Sequence, residues 1–324
     1  MVDWSANATP KRGADSIWYC LVARTGSGLR RRLLANPATR WRARDEIAAI
    51  LKDQAARGRR VLAGFDFPNG YPAGFARAAG FEGSPWRAVW DGLDALIRDR
   101  ADNGNNRFEV AADLNRRISG GAFPFWGCPA GRQTETLSMR KTRAYDETLP
   151  ERRHCETWLP RSQPCWKLYT AGSVGSQALM GIPVLKALRD DPELAPHTAV
   201  WPFETGFRAP PAGPWRIVLA EVYPSILPIK AGAGQIKDAV QVETIARHLA
   251  RRDGRGELAR DLAGPGCLDE NVRKLVVTEE GWILGAGTFD RGAGIRSPAS
   301  FGRGSGGAGG GGSWPGRGLV ALRL

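Results

Sequence analysis

Three carboxylates stand inside apolar stretches, where an ionised group is costly. Asp3 sits in Val2-Asp3-Trp4, and Asp66 in Gly64-Phe65-Asp66-Phe67-Pro68. Glu221 sits in Val218-Leu219-Ala220-Glu221-Val222-Tyr223-Pro224. A carboxylate leaves water favourably only when a cation or hydrogen bonds compensate it. One such residue is ordinarily half of an ion pair, and this chain is rich in arginine. Three, each close to the end of a strand-like run, suggest a shared destination. Carboxylates brought together repel and hold on to protons. A hard divalent cation relieves that repulsion, and oxygen ligands suit Mg²⁺ or Mn²⁺. Asp238 opens a helical pattern after the Glu221 run and is the fourth candidate, or an ordinary helix-start carboxylate favoured by the dipole.

A second tier of residues suits substrate contact. Ser5 and Asn7 follow Asp3 and either accept a substrate oxygen or form a turn. Gly172-Ser173-Val174-Gly175-Ser176-Gln177 precedes a helical pattern. Ser173, Ser176 and Gln177 there either present donors to a phosphate or cap the helix. The Gly-Lys-[Ser/Thr] ending of a Walker A loop is missing. Lys167, between Trp166 and Tyr169, either grips a nucleotide by charge and stacking or packs locally. Trp201 and Glu204 carry the same two readings.

These residues need strands and helices to position them. Residues 1–6, 16–23, 29–35, 60–68 and 215–224 read as strands, with Gly-containing turns between the first three. Apolar spacing of i, i+3 and i+4 predicts helices over 42–57, 86–99, 176–189 and 235–252. A last short strand is expected at 274–278 or 282–284. Between 102 and 213 the pattern loosens into what reads as a large insertion. From 287 to 324 the text turns glycine-rich, with 13 glycines including Gly309 to Gly312 in a row. Such composition predicts disorder. The expected organisation is one domain over 1–286 and a tail over 287–324. Only two residues precede Asp3, so the first strand reads as cut short, with the true start expected upstream.

The order strand–strand–strand–helix–strand–helix, then strand and helix, with carboxylates on the first, fourth and fifth strands and the last helix, is the layout of a ribonuclease H-like α/β fold. VDWSAN, GADSIW, GFDFPNGYP, KLYTAGSVGSQALMGIP, WPFET, AEVYPSILP and IKDAVQV, in that order, resemble the domain of unknown function 429 family. That family is described as predicted nucleases of ribonuclease H fold, and the resemblance covers residues 2–285. It implies a mixed sheet flanked by helices, with the irregular insertion before the fifth core strand. It also implies metal-dependent phosphodiester hydrolysis. Asp3, Asp66, Glu221 and Asp238 would hold Mg²⁺ or Mn²⁺, which activates water and stabilises the leaving oxygen.

Composition bounds these readings. The 324 residues carry a net charge of +13, with 38 arginines and 8 lysines. The charge fits a nucleic acid or nucleotide partner, but arginine-biased sequences give the same number without one. No apolar run approaches the ~20 residues of a membrane span. The five cysteines form no C-x-x-C pair, and no secretory signal is visible, so reduced thiols in a cytoplasmic protein are expected. Two alternatives to a nuclease stay open. One is a nucleotide- or cofactor-binding protein without hydrolysis. The other is an inactive homologue that binds nucleic acid through surface arginines.

Overall fold

The computed structural model describes residues 1–289 except 27, 160 and 210–215. The expected disorder of the tail therefore lies outside the described residues from 290 on. The chain opens with three strands: β1 (Val2–Asp3), β2 (Trp18–Thr25) and β3 (Gly28–Ala35). Helix α1 (Arg40–Ala56) and strand β4 (Val61–Phe65) follow. Then come α2 (Phe75–Ala78), α3 (Pro85–Leu96), α4 (Arg107–Ser119), α5 (His154–Thr157) and α6 (Gly175–Asp190). Strands β5 (Thr198–Val200) and β6 (Ile217–Glu221) precede α7 (Lys237–Gly254), α8 (Leu258–Leu262) and α9 (Glu270–Leu275).

The strands form one sheet in the order β3-β2-β1-β4-β6-β5. β1, β2 and β3 pair antiparallel, whereas β1–β4, β4–β6 and β5–β6 pair parallel. This is a mixed α/β sheet with helices on both faces. Side chains alternate along each strand, so register assigns them to faces. Val2, Tyr19, Phe65, Ile217 and Leu219 enter a large core with residues of α1, α3, α4 and α6. Val218, Ala220 and Val222 enter a smaller core with Ile245 and Leu249 of α7 and Leu262 of α8.

Local chemistry explains the main helices. Thr39 caps α1 by accepting from the Arg42 amide, and Ala43, Ile47 and Leu51 form its buried stripe. Pro85 opens α3, where its missing N–H costs nothing, and Val89, Trp90 and Leu93 point inward. Gly181 lies within the continuous helix α6 for a reason of space. A Cβ there would stand 2.3 Å from Cζ of Phe67, so the ring lies directly on the helix backbone.

Two expectations are corrected. Residues 274–278 are helical, because Asp269 caps α9 by accepting from the Asn271 amide and the turn continues into Val276–Glu280. Residues 282–284 contribute only an isolated bridge between Ile283 and Glu221. The first strand is shorter than residues 1–6, and the helices otherwise fall within a few residues of their expected limits. The stretch from 102 to 213 supplies α4, α6 and the edge strand β5, and its Phe108, Leu114, Leu179 and Leu185 lie in the main core. Among the described residues no helix is long and apolar enough to cross a membrane.

Candidate functional site

The site begins with register. Val2 is paired to Phe65 across the parallel β1–β4 contact, and both side chains enter the main core. The residues that follow them, Asp3 and Asp66, therefore share the opposite face, side by side at the strand ends. Their carboxyl groups are hydrogen-bonded to each other. Oδ1 of Asp66 also accepts from the Trp4 amide at 2.7 Å. α7 covers this face, and its first turn carries Asp238. Oδ2 of Asp238 accepts from the Asp15 amide at 2.7 Å.

Burial pushes the Asp3 carboxyl far above the usual range, and repulsion from Asp66, Asp238 and Asp15 adds to the rise. Burial also raises Asp66, but less, because the Trp4 amide and Asp3 both donate to it while Asp238 opposes. The charges acting most on Asp3 are thus all negative. The pair retains a proton near neutrality, as two crowded carboxyls do when the charges acting most on them are negative.

Glu221 does not join this group. Its register partner is Phe65, so it points to the other face of the sheet. There Arg153 binds it through both terminal nitrogens, at 2.7 and 2.6 Å, and the Asn69 amide donates at 3.1 Å. The same guanidinium holds Glu156 at 2.8 Å through Nε. Arg153, Glu156 and Glu221 are all buried. Beside them lies the buried Glu280, which accepts from the His154 and Ala73 amides at 2.8 and 3.1 Å. Its carboxylate also holds His154 Nδ1 at 2.9 Å, and this bond raises the imidazole pKa.

The second-tier residues divide. Ser5 and Asn7 lie on the loop leaving β1, close to the Asp15 turn. Ser5 Oγ accepts from the Asn7 amide at 3.3 Å, and Asn7 Nδ2 donates to the Asp15 carbonyl at 2.7 Å. Arg40 donates to both carbonyls of this loop. Those bonds are turn-forming, and they hold the loop beside the carboxylates. Lys167 donates to the Ala171 carbonyl at 3.1 Å, and Trp166 is core. Buried Ser176 donates to the Leu168 carbonyl at 2.7 Å and accepts from Arg107 at 3.0 Å. Ser173 and Gln177 are half-buried at the start of α6. Trp201 is buried and donates to the Leu262 carbonyl, while Glu204 pairs with Arg189.

Sequence reasoning missed Arg153, Glu156 and Glu280, which lie where neither helical nor strand periodicity stands out. It also missed Asp15, which read only as a turn residue. Among the described residues no three His, Cys, Asp or Glu side chains stand as a ready-made set of metal ligands. The chemistry of Asp3, Asp66 and Asp238 nonetheless fits a hard cation: the donors are all oxygen and their charge is uncompensated. No protein-family profile matches the chain, and no curated protein or solved structure is significantly similar to it.

Proposed function

We propose that the chain is a metal-dependent nuclease or related phosphoesterase of ribonuclease H-like architecture, with Asp3, Asp66 and Asp238 as its catalytic carboxylates. The observation that carries this reading is the hydrogen-bonded Asp3–Asp66 pair at adjoining strand ends, whose strongest electrostatic neighbours are acids. The sheet order supports it. An antiparallel β1–β3 unit beside parallel β4 and β6 is the arrangement expected of that fold, with β5 as an added edge strand. The helix after β6 brings its first-turn aspartate to the same face.

Mg²⁺ or Mn²⁺ held by Asp3, Asp66 and Asp238 would supply a Lewis acid and a water activated near neutral pH. The chain's own contribution is positioning and proton control. The Trp4 amide fixes Asp66, and the Asp15 amide fixes Asp238. Asp3 would give up its proton to a loading cation, so loading would strengthen as pH rises. Arginines of the surface supply the sequence-independent attraction for a phosphodiester backbone. Glu221, neutralised by Arg153, belongs to the support of the strand end.

A cleavage screen with Mg²⁺ and Mn²⁺ over single- and double-stranded DNA and RNA tests the reading, with Asp66→Asn beside the parent. Metal-dependent cleavage lost in the variant supports it. Equal activity of the two proteins overturns it. Tight mononucleotide binding without cleavage replaces it with a non-hydrolytic role.

A further inference from the structure

Arg107 is a cation held by neutral groups. It opens α4, and its side chain is half-buried. Nε donates to Ser176 Oγ at 3.0 Å, and Nη1 donates to Asn105 Oδ1 at 2.7 Å. The guanidinium stands 4.3 Å from the centre of the Phe108 ring. Among the described residues no carboxylate pairs with it and no oxygen accepts from Nη2. Glu109, an acid whose charge reaches it, is bound to Arg132 at 2.6 Å. Burial pushes the Arg107 pKa down to about 10, and repulsion from Arg40 and Arg132 adds to the fall. A desolvated charge among like charges is where an external counter-ion stabilises most.

An aromatic ring beside it is open to solvent. Tyr169 is 45% exposed, and its ring meets Phe108 edge-on at 6.5 Å. The next residue, Thr170, is held at φ 82°, where a β-branched side chain is strained. Such strain persists only where the surroundings impose it, and it concentrates where ligands are gripped. The patch is also tied to the carboxylate end of the sheet. Arg40 donates to the Ser5 and Asn7 carbonyls on one side and to the Asn103 carbonyl on the other. Asn105, which holds Arg107, donates to the same Asn103 carbonyl at 2.8 Å. One chain of hydrogen bonds thus runs from the loop after Asp3 to Arg107.

We propose that Arg107 and Tyr169 form a subsite for single-stranded nucleic acid, in which the guanidinium binds a backbone phosphate and the phenol ring stacks on the neighbouring base. A guanidinium fork matches the oxygens of a phosphate. An exposed ring takes a base only when that base is not already stacked in a duplex, so the pair selects single strands. The assignment as a substrate subsite rests on the phosphoesterase reading above, whereas capture of the strand does not.

The test uses the full chain in EDTA, so that no metal-dependent cleavage intervenes. A fluorescein-labelled oligothymidylate is read by anisotropy, with a labelled duplex of the same length for comparison. The parent is expected to bind the single strand. Tyr169→Ala, at an exposed position, should weaken the single strand about tenfold and the duplex less than about twofold. Arg107→Gln should weaken the single strand and reduce the slope of log affinity on log salt by about 0.7, the share of one phosphate contact. Circular dichroism checks the fold of each variant, and if Arg107→Gln does not fold, Tyr169→Ala with its duplex control decides. No binding by the parent, equal binding by the parent and Tyr169→Ala, or equal losses on strand and duplex each overturn the proposal. Binding that needs both residues, without cleavage when Mg²⁺ or Mn²⁺ is added, keeps the subsite and overturns the phosphoesterase reading instead.

Discussion

The ends of β4 and β6 carry acids on both faces of one sheet, and the two groups are solved in opposite ways. On one face Glu221 and Glu156 share the buried Arg153. On the other, Asp3 and Asp66 meet each other within reach of the Asp238 charge, and all three are acids. The first group is complete in itself. Its hydrogen bonds close within the fold around Arg153, and burial holds Glu156 above the usual carboxylate range even beside that guanidinium. The second is satisfied only by keeping a proton that neutral solution would otherwise remove. The difference teaches where to look for chemistry. The buried charge that has found its partner supports the structure, and the crowded charge without one is where an external cation gains most.

The largest effect should come from spoiling the complete group. Arg153→Met leaves Glu221 and Glu156 buried without their cation, and a destabilisation of about 3–5 kcal/mol is expected in chemical denaturation. A loss below ~1 kcal/mol would mean that the ion pair is not what holds the end of β6. The incomplete group should answer in activity instead. Asp66→Asn is expected to lower metal-dependent phosphodiester cleavage about 100-fold or more while the fold stays intact, as judged by circular dichroism.

Stability should separate the groups by sign. A carboxyl raised in the folded state stabilises fully below its unfolded pKa, and this contribution is lost as pH rises toward the folded value. The Asp3–Asp66 pair therefore makes the protein less stable as pH climbs from the ordinary carboxylate range through neutrality. Asp3→Asn should remove that slope and raise stability near pH 8 by about 1–2 kcal/mol, reduced from the full linkage value because the residue is half-buried. Thermal melts of parent and variant from pH 5 to 9 measure it, and parallel curves would argue against the shared proton. At pH 8, Mg²⁺ well above its dissociation constant should stabilise the parent by about 1–3 kcal/mol and leave Asp3→Asn unmoved. The smallest effect belongs to Lys167→Ala. Its ammonium bonds one exposed carbonyl, so stability should change by less than about 0.5 kcal/mol and cleavage not at all.

Much of this contrast was legible in the amino-acid text, and its limits are instructive. Asp3 and Asp66 stand out because a polar residue interrupting an apolar strand is a local signal that needs no tertiary knowledge. Glu221 gives the same signal and goes elsewhere. Period-two alternation means that one step along a strand changes the face, and the pairing of Phe65 with Glu221 is set between strands, not within either. Arg153 gives no warning, because it lies in a stretch whose periodicity is weak. β5 is three residues long, too short for any pattern. The run Lys274-Leu275-Val276-Val277-Thr278 looks like a strand by composition, yet the Asp269 cap and the packing of Val276 make it helical.

Gly181 carries a consequence for anyone who would engineer this chain. A glycine in the middle of a helix is the first position a stabilisation campaign replaces, with about 1 kcal/mol of propensity to gain from alanine. Here the added methyl would strike the ring of Phe67, the residue after Asp66. Relief would come by displacing the segment that carries the aspartate, and overpacking costs of about 1–3 kcal/mol outweigh the gain. Libraries that score only folding should therefore keep this glycine unless they also tolerate a shifted strand end, which makes tolerance at residue 181 an inexpensive reporter of how tightly the carboxylate pair is held.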